Sequence, residues 1–343
     1  MKIKSIVDMK ISSKISKKSA QELPKSMIKK ENKIFAHSFG ESIDFDPGYS
    51  TVPKLLCMGS CDARNLHGCF FESEQDVVNS IYDIFYNPIA LEQEFLRVFY
   101  ANRNWEQLCY RFFDNGTKAY HFRDPWRSWI KAPSLSELRI INEQFDNISR
   151  ITLKEAKCLL LVLGLAETWG SIDKPGLALN RIPIELPIDQ IQNRYYSHLC
   201  TRKELRHSLL NIGRVVRKNL PEIETIFTAV SPIPLKYSTQ REGIIFSNYL
   251  NKLVLYQAVQ DCCQRTSIFR YFPYYELVHS MKSNPWQEDQ RHLKPEAIIA
   301  AANLFALGRQ QTKPLSKHRL KKFFFPKVDS KGKINGKLFC APL

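Results

Sequence analysis

The sequence predicts an α/β fold: a doubly wound, three-layer sandwich around a mostly parallel central sheet. Three observations predict it. Short apolar runs at 54–58, 158–163, 225–230 and 268–272 alternate with longer stretches of helical period. The run from Cys158 to Leu163 is continuously aliphatic, as a strand covered on both faces requires. Each run stops at a small or turn-forming residue (Gly59, Gly164, Ser231, Pro273), which marks the strand ends where ligands sit in such sheets.

Taken in order, residues 1–33 are Lys- and Ser-rich and read as a flexible segment, and 35–53 as a loop with Gly40, Pro47 and Gly48. A strand at 54–58 turns at Gly59. Residues 76–85 read as a helix, with Val77, Val78, Ile81, Ile84 and Phe85 on one face. Tyr86-Asn87-Pro88 breaks it, and a second helix covers 89–100. Residues 120–133 read as a loop. A helix at 136–149 buries Leu138, Ile141, Phe145 and Ile148, with Ser136 as its cap. After the 158–163 strand, Pro175, Gly176, Pro183 and Pro187 mark a long loop. A helix at 202–219 precedes the 225–230 strand. A helix at 246–264 buries Leu250, Leu253, Val254 and Val259 and precedes the 268–272 strand. Pro295 opens a last helix that ends at Leu307.

The 343 residues carry a net charge of +16, but unevenly. Residues 1–33 hold 10 Lys against 3 acids, and residues 309–343 hold 10 Lys/Arg against 1. The tails therefore hold 20 of the 50 bases and 4 of the 34 acids, leaving 30 of each in residues 34–308. The chain accordingly divides into a basic segment 1–33, a formally neutral domain 34–308 and a basic tail 309–343. Neutrality of the domain argues against a specific nucleic-acid partner. The tails suit solvated extensions or peripheral contact with an anionic membrane or glycan, with Phe323-Phe324-Phe325 beside Lys321-Lys322 suited to a lipid interface. The longest apolar run, 158–166, is too short to span a bilayer, and there is no secretory signal pattern. Nine cysteines without a CxxC pair form no disulfide framework and no metal knuckle, so a reducing cytoplasm is expected and no metal or resident cofactor. No GxGxxG or P-loop pattern is present.

Chemistry concentrates at two places. Gly59-Ser60-Cys61 sets two nucleophiles, Ser60 and Cys61, at the end of the first strand, where a following helix N-terminus offers free N–H groups to an oxyanion. Asp289-Gln290-Arg291-His292 supplies a base near neutrality and, three residues earlier, a carboxylate to fix its tautomer.

Together with the material between them, these fragments resemble the GSCFA family, a branch of the SGNH (GDSL-like) hydrolase fold. Gly59-Ser60-Cys61-Asp62-Ala63 is similar to its signature. Tyr86-Asn87-Pro88-Ile89 resembles its Asn-Pro segment, and Asp124-Pro125-Trp126-Arg127 its Asp-Pro-Tyr-Arg. The segment from Leu163 to Trp169 resembles Leu-Gly-Leu-Thr-Glu-Ala-Trp, and Val230 to Leu235 resembles Val-Ser-Pro-Val-Pro-Leu. Tyr271 to Glu276 resembles Tyr-Phe-Pro-Ser-Tyr-Glu, and Asp289 to His292 stands where SGNH enzymes carry Asp-x-x-His. The matches run in order from about residue 54 to about residue 305.

The resemblance implies acyl-ester chemistry: an esterase, or an O-acyltransferase acting on a glycan or polysaccharide, with acyl-CoA as one available donor. In SGNH enzymes the nucleophile is the third residue of Gly-Asp-Ser, which places Cys61 in that role. Ser60 takes it if the turn is shifted by one residue. Gly59, Gly164 and Asn87 are then oxyanion candidates, and Glu167, Arg127 and Trp169 substrate-binding ones, with Glu167 also placed to pair with Arg127. Trp126, Trp129 and Trp169 are candidates to stack on a sugar. One departure matters. Ala166 stands where SGNH enzymes have an Asn side chain donating to the oxyanion. That leaves a second reading, a non-catalytic glycan-binding or assembly protein on the same fold.

Overall fold

The computed structural model describes residues 45, 48, 53–72, 77–102, 104–174, 176–240, 243–281, 283–307, 324–328 and 334–340. The chain divides into two units, Met1–Ser42 and Ile43–Leu343, and the first lies outside the described residues.

Four parallel strands form the central sheet: β1 (Leu55–Gly59), β5 (Cys158–Leu163), β9 (Thr225–Val230) and β10 (Phe269–Tyr271), in the order β1-β5-β9-β10. Leu55 pairs with Cys158, Cys158 with Thr225 and Ile226 with Phe269, so all four C-terminal ends share one edge. Every residue of β1 and β5 is buried, as the aliphatic run at 158–163 demands.

Alternate residues of the strands feed two cores. Leu55, Cys57, Leu160 and Val162 face α1 (Cys61–Glu72) and α8 (Pro295–Leu307), meeting Leu66, Phe70, Ala301 and Phe305. Leu56, Met58, Leu159 and Leu161 face the opposite layer of α2 (Pro88–Tyr100), α3 (Leu135–Glu155), α5 (Arg202–Asn219) and α6 (Ile244–Arg265). Helices on both faces of a mostly parallel sheet make the expected three-layer α/β sandwich.

Two small antiparallel sheets stand beside it: β2 (Tyr110–Asp114), β3 (Ala119–Arg123) and β4 (Lys131–Ala132), and β7 (Ala178–Leu179), β6 (Glu167–Ser171) and β8 (Tyr195–Leu199). Helix α4 (Ile188–Arg194) and helix α7 (Tyr274–His279) complete the unit, with a hairpin of β11 (Phe324–Val328) and β12 (Ile334–Cys340). That hairpin falls where the sequence reads as a flexible tail.

Four local expectations are corrected. Residues 77–86 are extended, not helical: Val77 and Ile84 bridge Leu55 and Gly59 in parallel, and Val78 N–H donates to Leu55 at 2.8 Å. The β-branched and aromatic residues there satisfy the outer edge of β1, and the edge overrides the 3.6-residue spacing. Residues 119–132 hold two strands, whose half-exposed, polar alternation carries little apolar signal. Ser134, not Ser136, caps α3, its hydroxyl accepting from Glu137 N at 3.2 Å. On α6 the buried residues include Ser247, Asn251 and Lys252, while Leu253 is exposed together with Ile245 and Tyr249. The helix turns polar residues inward because the loops after β5 need partners.

Candidate functional site

The shared C-terminal edge carries Gly59, Ser60, Cys61 and Gly164 at the ends of β1 and β5. Gly59 ends β1 with φ +129°, and a Cβ there would lie 2.1 Å from the Val162 carbonyl oxygen, so only glycine fits. The chain then reverses: Ser60 N–H donates to Val162 at 2.8 Å, Phe85 N–H donates to Gly59 at 2.7 Å, and α1 starts at Cys61. Ser60 Oγ is buried with no hydrogen-bond partner. Cys61 is half-buried. Burial first, then the neighbouring Asp62, pushes its thiol up to about 11, against the opposing charges of Arg291, Arg64 and Lys252. Cys61 therefore rests as a thiol.

Sequence reading passed over Asp62, which is 0% exposed. Ser231, just past β9, donates its hydroxyl to the Asp62 carboxylate at 2.5 Å. Burial raises the Asp62 carboxyl to about 6, while Ser231, Lys252, His292 and Arg291 oppose the rise. Tyr274, at the start of α7, is fully buried, and burial and then Asp62 hold its phenol well above its ordinary value. Lys252 is also a residue the sequence did not single out. It is 4% exposed and donates to the Gly164 carbonyl at 2.9 Å. Burial lowers its ammonium to about 8, with Asp62 and Cys61 pulling the other way. A Ser, a Tyr and a Lys from three different elements thus surround one buried acid beside the thiol. Only the one-residue offset of Asp62 from Cys61 signals this in sequence.

Asp289 and His292 lie in the segment before α8. Asp289 Oδ1 accepts the backbone N–H groups of Arg291 (3.0 Å) and His292 (2.9 Å), and Oδ2 accepts from His292 Nδ1 at 2.5 Å. Those backbone and side-chain bonds from His292, with the Arg291 amide, hold the Asp289 carboxyl at about 2. Arg291 Nη1 donates to His292 Nε2 at 3.1 Å. A guanidinium only donates, so Nε2 is the acceptor and Nδ1 carries the proton. This is the tautomer a general base needs. His292 and Arg291 both act electrostatically on Asp62, and Arg291 on Cys61 as well. No hydrogen bond joins Cys61 to His292 among the described residues.

Gly164 packs tightly: a Cβ there would sit 3.2 Å from Ser60 Cβ and 3.3 Å from the Tyr86 carbonyl oxygen. Asn87 is the N-cap of α2, its Oδ1 accepting Ala90 N–H at 2.9 Å. Glu167 is buried and takes Ser238 Oγ (2.5 Å) and Asn251 Nδ2 (3.1 Å). Asn251 in turn accepts the N–H groups of Ala166 and Glu167 at 2.8 and 3.0 Å. The pair expected between Glu167 and Arg127 is not made. Arg127 is 0% exposed and forms a two-pronged pair with Glu94 (2.8 and 2.7 Å), with Asp146 at 2.6 Å. Trp169 packs within a small cluster with Leu179 and Tyr195. Trp126 is fully buried and donates to the Ala178 carbonyl, which takes it out of reach of a sugar.

The family model for GSCFA matches residues 54–305, from the first residue before β1 into the last turns of α8. The chain belongs to the GSCFA family. The match spans the glycine turn, the Gly164 turn and the Asp289–His292 pair together. No curated protein and no solved structure matches the chain. Among the described residues no cluster of three His, Cys, Asp or Glu side chains is arranged to hold a metal ion, and no helix is long and apolar enough to cross a membrane.

Proposed function

We propose that this GSCFA chain is an acyl-transfer enzyme, an esterase or O-acyltransferase acting on a glycan or polysaccharide, on an SGNH-like fold. Cys61 is the nucleophile, His292 its base and Asp289 the group that orients the base. The observation that carries this reading is the Asp289–His292 pair, in the base-competent tautomer and in electrostatic reach of Asp62, next to a cysteine on a helix N-terminus.

In the first half-reaction Cys61 Sγ attacks the acyl carbonyl carbon as the thiol proton passes to His292 Nε2. The carbonyl oxygen takes the negative charge beside the N-terminal amides of α1. Collapse breaks the bond to the leaving atom, an oxygen for an ester donor and a sulfur for acyl-CoA, which takes the proton from Nε2, and a thioester to Cys61 remains. In the second half-reaction the oxygen of water or of a sugar hydroxyl attacks the thioester carbon as its proton passes to Nε2; the C–S bond breaks and Cys61 recovers that proton, so water gives hydrolysis and a sugar hydroxyl gives transfer. Acyl-CoA is a reasonable donor for the transfer route, and a reducing cytoplasm would keep the thiol available.

Intact mass spectrometry after exposure to acyl donors tests the reading. An acyl adduct that maps to Cys61, survives in Ser60→Ala and is lost in Cys61→Ala and His292→Ala supports it. No adduct with any donor overturns it in favour of the second reading, a non-catalytic glycan-binding or assembly role. The observation favouring that second reading is Ala166, which has no side-chain donor to offer an oxyanion.

A further inference from the structure

Arg291 occupies a place that the reaction above needs vacant. Its Nη1 donates to His292 Nε2 at 3.1 Å, and Nε2 has a single lone pair. While that bond stands, Nε2 cannot accept the proton of Cys61. Arginine stays charged at every physiological pH, so the bond is released only by moving the guanidinium onto something else. The rest of the side chain is poised for a partner. Arg291 is half-buried, and its Nε is buried with no hydrogen-bond partner. Its charge is felt at Cys61, Asp62 and Lys252, so it lies within electrostatic reach of the turn after Gly59. Arg64 and Lys252 also act on Cys61, so three cations oppose the rise of its thiol.

A planar guanidinium with an unsatisfied Nε is built to take a carboxylate or phosphate through two parallel N–H bonds, from Nε and Nη2. Because Nε is buried, an anion reaches that edge only when the side chain swings out, and the swing breaks the Nη1–Nε2 bond. The side of the site it occupies is set by the chemistry. His292 Nε2 returns its proton to the leaving oxygen, so the group that covers Nε2 at rest lies on the leaving-group side.

We propose that Arg291 is the specificity-determining residue of this site: it binds a phosphate or carboxylate on the leaving-group part of the acyl donor, and so lifts off His292 Nε2 and frees it as base. Neutral donors leave Nε2 covered and react slowly. The inference rests on the acyl-transfer reading and adds the class of donor to it. The bonds made and broken are those of the first half-reaction above; Arg291 takes no proton and gives none.

The test uses the full chain and donors of one acyl group: acetylsalicylate (carboxylate), acetyl phosphate (phosphate) and phenyl acetate (neutral). The wild type is expected to acetylate Cys61 with a higher kcat/KM for one or both anionic donors than for phenyl acetate. Which one it favours identifies the anion. Arg291→Gln is expected to lose at least tenfold on the favoured anionic donor, mostly in KM, and to gain several-fold on phenyl acetate because Nε2 is uncovered. Arg291→Lys is expected to keep part of the preference. Two outcomes overturn the inference while leaving the acyl-transfer reading intact: wild-type acetylation without preference for an anion, or an Arg291→Gln variant that changes all three donors by the same factor, as a merely structural arginine would. Absence of any Cys61 adduct in the wild type overturns both.

Discussion

The ammonium of Lys252 is hydrogen bonded to the carbonyl oxygen of Gly164 at 2.9 Å, from a side chain almost wholly shut away from water. Burial lowers it from 10.5 to about 8. The unfolded chain therefore holds this proton over a pH range in which the folded chain has lost it. Between about pH 8 and 10.5 the unfolded state binds more protons, so this residue makes stability rise with pH across that window, by on the order of 3 kcal/mol. Urea unfolding at pH 7.5, 9 and 10 is expected to show that rise in the wild type and to lose it in Lys252→Met.

Asp62 presents the opposite sign. Its carboxyl is raised from 3.8 to about 6, so the folded state holds the extra proton between those values and stability falls as pH rises through them. Asp62→Asn is expected to remove this slope. Because the same anion disfavours the Cys61 thiolate, Asp62→Asn is also expected to speed alkylation of Cys61 by iodoacetamide at pH 8 several-fold, read by peptide mass mapping. An unchanged rate would show that burial alone sets the thiol.

Asp289 fixes which nitrogen of His292 carries the proton. Asp289→Asn keeps a side chain able to accept at one position but reverses the ring's preference, and turnover is expected to fall by roughly 10²–10⁴-fold. The residue is exposed, so the circular dichroism spectrum and the unfolding midpoint are expected to stay close to wild type.

The backbone at Gly59 admits no side chain. Gly59→Ala is expected to cost at least about 3 kcal/mol, because it adds a left-handed strain to a contact with Val162 that must open. Equilibrium denaturation measures the loss directly.

Away from the site, Arg127 and Glu94 are both fully buried. Arg127→Ala strands the Glu94 carboxylate in the core and is expected to destabilise by about 3–5 kcal/mol. A cost no larger than that of an exposed pair would show that water reaches the cluster.

The sheet was legible because its strands are buried on both faces and read as unbroken apolar runs, Cys158–Leu163 above all. The segment at 77–86 was not, because an edge pairing made of two isolated bridges leaves no periodic trace and Val-Val followed by spaced aliphatics imitates a helix. Cys61, Asp289 and His292 stood out through the residue types a nucleophilic site needs. Arg127 and Trp126 were drawn into the candidate list by their neighbours in a motif; they serve the core, and sequence cannot tell a buried arginine from one on a ligand. Lys252 lay hidden for a related reason. It sits among the apolar residues of α6, where a lone lysine reads as solvent-facing, and only the partner at Gly164 turns it inward.

Helix α8 packs on α1 through Phe305 and Phe70, whose ring centroids are 5.3 Å apart. The helix that starts at Cys61 is thereby clasped by the helix that follows His292, although the two residues lie about 230 residues apart. A fragment that ends before α8 lacks this packing, and a polypeptide emerging from the ribosome would lack it until nearly all of the domain had been made. Any property that needs Cys61 and His292 together would therefore double as a timer for the completion of folding.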